Sequence, residues 1–286
     1  MNALRSGPSA LVQRASSPFA LSSATAVELR QKWRILASSQ LGQRCEELGG
    51  GSYLIEGLIP QRSISIVVGD SGLGKSPLLY QAALCVAAGL PLLGHGVCRG
   101  RVLFLDFENG LSEVEDLLTR LAAHLRLPSK PGNLLLWNYN DASPTWKNSD
   151  LRDMIRDTRP VWTIIDSLSG YSPEIEEKAS YATRVQQEFR KVIREFGTSV
   201  TGVHHIRKPS SKPEEAPPPL EEDPHRWFLQ ARGSRALING SDVRLGVAPL
   251  RMTEKRNVWW RAFRLSRRKE SPIGMGKQSA KHNVSE

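Results

Sequence analysis

The sequence predicts an α/β fold, with a mainly parallel β-sheet, helices on both faces and an antiparallel C-terminal edge. Three observations carry that expectation. Short apolar runs alternate with longer helical patterns from residue 63 to residue 205. Runs such as VLFL and LLLW lack the polar alternation of a half-exposed strand, which points to strands buried on both faces. A Gly-rich turn, GDSGLGKSP at 69–77, joins the first run to its helix.

The elements follow in order. Residues 1–24 read as a disordered N-terminal tail, because the start is rich in Ser, Ala and Pro and no acid precedes Glu28. An acid-free, Arg-bearing start also fits an organellar transit peptide, although no amphipathic stripe accompanies it. Helix formers dominate 25–48, and Gly49-Gly50-Gly51 stops that segment. A domain over 49–265 begins with a short apolar approach, Tyr53 to Ile59, and the strand SISIVVG. PLLYQAALCVAAG at 77–89 reads as a buried helix, with Leu78, Leu79, Ala82, Cys85 and Val86 at helical spacing and Gly89 as its stop. GRVLFLDFEN is the second strand, and SEVEDLLTRLAAHL the second helix with Ser112 as N-cap. NLLLWNY and DLRDMIRDT form the third pair, VWTIIDS and SYATRVQQEFRKVIREFG the fourth, and TSVTGVHH is a fifth strand.

Residues 207–224, RKPSSKPEEAPPPLEEDP, hold six prolines and predict a mobile loop. VRLGVAPLRM and VWWRAFRLS, joined by TEKRN, read as an antiparallel pair at the sheet edge. Residues 266–286 read as a basic disordered tail.

Composition narrows the class. No apolar run approaches the roughly 18 residues of a membrane span. Cys45, Cys85 and Cys98 show no C-x-x-C pairing, which favours reduced thiols in the cytoplasm over disulfides or a zinc site. The net charge of +10 is concentrated at the ends: residues 1–40 carry +4 and residues 251–286 carry +7. Basic ends favour a polyanion such as nucleic acid; solvated tails that aid solubility are the plainer alternative.

GDSGLGKS fits the phosphate-loop spacing G-x-x-x-x-G-K-[ST], between a strand and a helix as that motif requires. Gly69, Asp70, Ser71, Gly72, Leu73, Gly74, Lys75 and Ser76 would surround the phosphates of a nucleotide. Backbone N–H groups from Ser71 to Ser76 would meet the β-phosphate, Lys75 would bridge the β- and γ-phosphates, and Ser76 would ligate Mg²⁺. Pro77 lacks the N–H that commonly faces the α-phosphate. It falls in the first helical turn, so the fold tolerates it. Losing a bond to a charged group weakens binding by about ten- to a hundredfold.

Hydrolysis needs further groups at strand ends. Asp166 closes VWTIID and suits a magnesium carboxylate; a strand-ending turn cap is the alternative. Glu108 closes VLFLDFE and could activate water, with Asp106 two residues back as a competitor. His205 closes VTGVHH, where it could contact the γ-phosphate. A His204–His205 metal site lacks a third ligand at suitable spacing.

Together, LIEGLIPQRSISIVVGDSGLGKS, GLPLLG, GRVLFLDFENG, TIIDSL, GVHHIRK and ARGSRALINGSD resemble the RecA-like AAA-domain ATPases, including plasmid-encoded hexameric replicative helicases of RepA type. The resemblance spans roughly 50–265 and implies a RecA-like P-loop core that binds ATP and Mg²⁺. It implies Lys75 and Ser76 at the phosphates, Glu108 as catalytic carboxylate, Asp166 as the Walker B acid and also a metal residue, and His205 as γ-phosphate sensor. It implies a homo-hexameric ring acting on single-stranded DNA, with Arg232 reaching a neighbour's ATP and Arg207 competing for that part. Pro77 departs from the pattern. So do Glu214, Glu215, Glu221, Glu222 and Asp223, which repel a DNA backbone where the family often lines its channel.

WWRAF at 259–263 fits either a stacking surface for bases or an edge strand with one buried face. The leading expectation is a Mg²⁺-dependent ATPase in a DNA-associated ring. A nucleotide-binding regulatory module with little turnover is the main alternative, and a small-molecule kinase the third.

Overall fold

The computed structural model describes residues 36, 38–47, 51–141, 146–207, 218–233, 235–249 and the backbone of 258–263. The chain divides into two compact units, Met1–Gly50 and Gly51–Glu286. In the first unit a 3-10 turn at Ser38–Gln40 leads into α1 (Leu41–Glu47). Arg44 and Glu47, one turn apart, pair at 2.8 Å on its exposed surface. The tail at 1–24 and most of the helical segment expected over 25–48 lie outside the described residues, as do the tail at 266–286 and the turn TEKRN.

The second unit opens with a small antiparallel pair, β1 (Tyr53–Ile55) and β2 (Ile59–Pro60). The main run is β3 (Ile64–Gly69), α2 (Lys75–Ala88), β4 (Val102–Asp106), α3 (Leu111–His124) and β5 (Leu134–Asn138). It continues with α4 (Asn148–Thr158), β6 (Trp162–Asp166), the short α5 (Leu168–Tyr171), α6 (Ala179–Phe196) and β7 (Ser199–His205). Two short helices, α7 (Pro224–Phe228) and α8 (Arg235–Asn239), precede β8 (Val243–Pro249) and β9 (Val258–Phe263).

Seven strands form one sheet in the order β5-β4-β6-β7-β3-β8-β9. Six run parallel, and β9 pairs antiparallel with β8 as the C-terminal edge. The strands alternate the face they serve, as period-2 geometry demands. Ile64, Ile66, Val68, Leu103, Leu105 and Ile165 pack with residues of α4, α6, α7 and α8. Val67, Val102, Phe104, Trp162, Ile164 and Val203 pack on the other face, with α2 and α3. Both faces of the strands are therefore covered, which is why the runs read as continuously apolar. Helix α2 buries Leu79, Tyr80 and every residue from Ala82 to Ala87, so it is apolar nearly all round.

Three expectations need correction. Strand β4 stops at Asp106, so Glu108 sits in the turn beyond it. Helix α3 begins at Leu111 after Gly110, leaving Ser112 inside the first turn. The start is closed from within: Glu113 reaches back and accepts the Gly110 N–H at 3.2 Å. The Pro-rich loop, expected to be mobile over 207–224, is packed at its far end. Leu220 is buried, and a Cβ on Gly246 would come 2.8 Å from its side chain. Asp223 accepts the Arg226 N–H at 3.0 Å, and Pro224 takes the first helical position of α7, where a missing N–H costs nothing. Residues 208–217, including Glu214 and Glu215, lie outside the described residues, as do the side chains of WWRAF.

Candidate functional site

In a doubly covered parallel sheet, the carboxyl ends of the strands form one rim on which loops converge. Four neighbouring strands, β4, β6, β7 and β3, bring chemistry to that rim. Their register aligns Asp106 with Asp166, and Gly69 with His205. Sequence positions far apart thus end at one level.

The turn after β3 is shaped by two glycines with left-handed backbone, Gly72 (φ 77°) and Gly74 (φ 83°), a region that L residues with side chains avoid. Gly69 itself has no room: a Cβ there would meet the Val247 carbonyl at 2.6 Å. The turn delivers Lys75 and Ser76 as the first residues of α2, whose N-terminal end carries unpaired N–H groups and partial positive charge. Lys75 is buried, and its Nζ donates to the Gly69 and Asp70 carbonyls at 3.1 and 2.7 Å. Burial pulls its pKa below the ordinary lysine value, while Asp166, Glu108 and Asp70 pull it back up. Not every expected N–H faces inward. The Ser71 N–H donates to the Asp70 carboxylate at 2.8 Å. Pro77 is the third residue of α2, and the ladder resumes beyond it with the Leu78 N–H on the Gly74 carbonyl at 3.1 Å.

Asp166 is fully buried at the end of β6, and neither of its carboxylate oxygens has a hydrogen-bond partner of good geometry among the described residues. Burial pushes its carboxyl up to about 7; the Ser76 side chain opposes this, Asp106 and Glu108 add to it, and Lys75 opposes it. A buried carboxylate without partners is costly unless a cation or donor meets it. Two hard oxygens beside the Ser76 hydroxyl suit Mg²⁺, which takes few protein ligands and keeps substrate and water oxygens. Asp166 and Ser76 thus fit the ion the sequence implied.

Glu108 and His205 are brought together. His205 Nε2 donates to Glu108 Oε1 at 2.9 Å, and its Nδ1 stands 3.4 Å from Ser71 Oγ. The His205 bond is the main cause that holds the Glu108 carboxyl below the ordinary glutamate range. His205 therefore bridges the Gly-rich turn and the carboxylate in the turn after β4.

Asp106 faces elsewhere. Its Oδ1 accepts the Glu108 and Asn109 N–H groups at 2.9 and 2.8 Å, and its Oδ2 accepts the Tyr80 hydroxyl at 2.6 Å and Asn109 Nδ2 at 2.8 Å. Four donors fill a carboxylate's acceptor capacity of about four. Reading the sequence alone gave no part to Tyr80 or Asn109.

Arg232 lies against the C-terminal end of β7. Its N–H donates to the His205 carbonyl at 2.9 Å, its Nε to the Ile206 carbonyl at 3.2 Å, and its own carbonyl meets His204 Nε2 at 2.8 Å. Arg207 is exposed and donates to the Gly233 carbonyl at 3.2 Å. Both arginines therefore leave the sheet on adjoining backbone. The described residues hold no cluster of three or more His, Cys, Asp or Glu arranged for a metal, and no helix long and apolar enough to cross a membrane.

Residues 45–211 match the family model described as an AAA domain. Among solved structures, the chain is similar to a KaiC-like protein from the hyperthermophilic archaeon Pyrococcus horikoshii OT3. That match is 13% identical, with a TM-score of 0.48, and covers 74% of this chain and 82% of the other. No curated protein matches the chain.

Proposed function

The chain belongs to the AAA domain family, and from that premise we propose that it is a Mg²⁺-dependent ATPase whose working groups are Lys75, Ser76, Glu108, Asp166 and His205. One observation supports the reading above the rest: a buried carboxylate, Asp166, with no hydrogen-bond partner of good geometry among the described residues, beside the Lys75 and Ser76 of a phosphate-loop turn. In this reading Gly69 to Ser76 hold the phosphates of ATP, with Lys75 exchanging its backbone carbonyl partners for phosphate oxygens. Ser76 and Asp166 would hold Mg²⁺, which would supply positive charge to neutralise the phosphates. Glu108 orients the attacking water and takes its proton. His205, between Ser71 and Glu108, lies where a γ-phosphate oxygen would compete with Glu108 for its N–H.

We further read the chain as a subunit of a DNA-associated ring of the plasmid or phage replication helicase type. Residues 49–265 would form the ATPase domain, flanked by the tails at 1–24 and 266–286 and the helical segment 25–48. The +4 and +7 charge of the two ends supports single-stranded DNA as partner. Arg232 is the preferred residue for reaching a neighbour's ATP in a hexamer, and Arg207 its rival.

A second reading has its own support: the His205 bond that occupies Glu108 favours a module that holds nucleotide and turns it over slowly. ATP turnover at a defined oligomeric state, with and without single-stranded DNA, decides between them. Turnover stimulated by DNA in a ring supports the motor. Tight binding with negligible turnover under both conditions supports the module.

A further inference from the structure

We propose that Tyr80 and Asp106 act as a positioning pair, which sets Glu108 against the helix that carries Lys75 and Ser76. This rests on the reading of Glu108 as the residue that activates water.

Asp106 is closed to solvent and to ions. It is fully buried, and its four hydrogen bonds leave no lone pair for a water or a cation. A buried carboxylate is tolerated when donors surround it, and here each donor has a place in the site. Two are the N–H groups of Glu108 and Asn109, so Asp106 holds the turn that leaves β4. The turn is held from its other side as well. The Phe107 N–H donates to the Asp166 carbonyl at 2.6 Å, and Asn138 and Asn140 donate to the Asn109 carbonyl at 3.0 and 3.1 Å.

Tyr80 comes from α2, one helical turn after Ser76. It meets β4 twice. Its ring stacks on Phe104 with centroids 3.9 Å apart and planes within 4°, and its hydroxyl reaches Asp106. Burial and the adjoining Asp106 carboxylate push the Tyr80 hydroxyl far above its ordinary value, so it stays a donor. The stack fixes the lateral position of α2 against β4, and the hydroxyl fixes its level. A shift of α2 would then be felt at the Glu108 backbone through two hydrogen bonds. Activation of water is sensitive to such shifts, since about 1 Å of misplacement costs about a hundredfold.

Tyr80→Phe tests the pair because it keeps the stack on Phe104 and removes only the hydroxyl. Turnover is expected to fall about tenfold while KM for ATP stays within about twofold. Combined with Glu108→Gln, Tyr80→Phe should cost nothing further, because its effect passes through Glu108. The amide protons of Glu108 and Asn109 should lose exchange protection in Tyr80→Phe, while those of β6 keep theirs. Full turnover with unchanged protection at 108 and 109 would overturn the pair. So would an undiminished loss in the Glu108→Gln background, which marks a general structural defect. If protection at 108 and 109 falls but Glu108→Gln turns over like the unmodified protein, the pair holds the turn and the role given to Glu108 is what fails.

Discussion

His205 and Glu108 stand 97 positions apart in sequence, yet Nε2 and Oε1 are 2.9 Å apart across the end of β6. The contact keeps the carboxylate ionised and also occupies it. Glu108→Gln should therefore bind ATP normally yet lose most turnover, about a hundredfold or more for a lost general base. Single-turnover phosphate release checks this. Asp106→Asn is expected to act differently, by loosening the turn rather than removing the base. Loss of turnover in Asp106→Asn with full activity in Glu108→Gln would reverse the assignment.

Lys75→Ala should reduce ATP affinity below detection by calorimetry, since in the proposed reading its one buried ammonium would serve two phosphates. The variant loses its bonds to the Gly69 and Asp70 carbonyls as well, so its melting curve must be recorded beside the binding curve. A folded variant with unchanged affinity would remove the basis for the phosphate-loop reading.

Pro77→Thr is expected to tighten ATP and ADP alike, by about ten- to a hundredfold, because both carry the α-phosphate a restored N–H would meet. KM should change more than kcat, since the contact is common to ground and transition states. Proline's preset φ at this first turn opposes the gain by up to about 1 kcal/mol of stability, which is smaller. Equal or weaker ADP binding in the folded variant would show that the loop does not use this position.

His204 supplies one part of the pH dependence, opposite in sign to that of the raised Asp166 carboxyl. It is fully buried, and burial holds its imidazole below the ordinary 6.5, with the Arg232 carbonyl and Glu176 opposing and His205 and Arg232 adding. The folded state therefore binds a proton less readily than the unfolded chain. Its contribution to stability is complete above about pH 6.5 and is lost as pH falls through the depressed value. His204→Gln should remove the acid-side loss, so that between pH 7 and 5 the denaturant midpoint falls less, or rises more, than in the unmodified protein; identical profiles would assign the acid sensitivity to other groups.

Leu220→Ala should destabilise by about 2–5 kcal/mol, the usual cost of truncating a core leucine. Leu220 is buried beside Gly246 and Trp227. A melting temperature unchanged by this substitution would mean that the packed end of the Pro-rich stretch contributes nothing.

The sheet was legible in the sequence because its strands are covered on both faces, so each reads as an unbroken apolar run between helices. The Gly-rich turn and the strand-end residues Asp166 and His205 were legible for the same reason: a strand's last residue is visible when the strand is. What lay hidden depends on register. Nothing local distinguishes Asp106 from Glu108, two carboxylates in one short run. The distinction comes from a tyrosine 26 positions earlier on α2. The Glu108–His205 contact likewise exists only because β6 lies between β4 and β7. Helices α5, α7 and α8, of four or five residues each, are too short to show a period. Ser112 misled because Glu113 closes the helix start.

The strand that leads into the phosphate loop is central in space and early in sequence. Both sheet neighbours of β3 come later: β7 at 199–205 and β8 at 243–249. A growing chain that has just made ISIVVG has no native sheet partner for it until more than a hundred further residues emerge. At about 5–20 residues per second, that interval is on the order of ten seconds. During it the nascent chain carries an apolar segment with unpaired backbone, the kind of surface that chaperones bind and that aggregates when they are scarce. Yield in cells should therefore depend on chaperone supply more than the melting temperature of the finished protein suggests. Ribosome-arrested chains in which residue 205 has or has not emerged from the ribosome would show the change as a step in protease resistance.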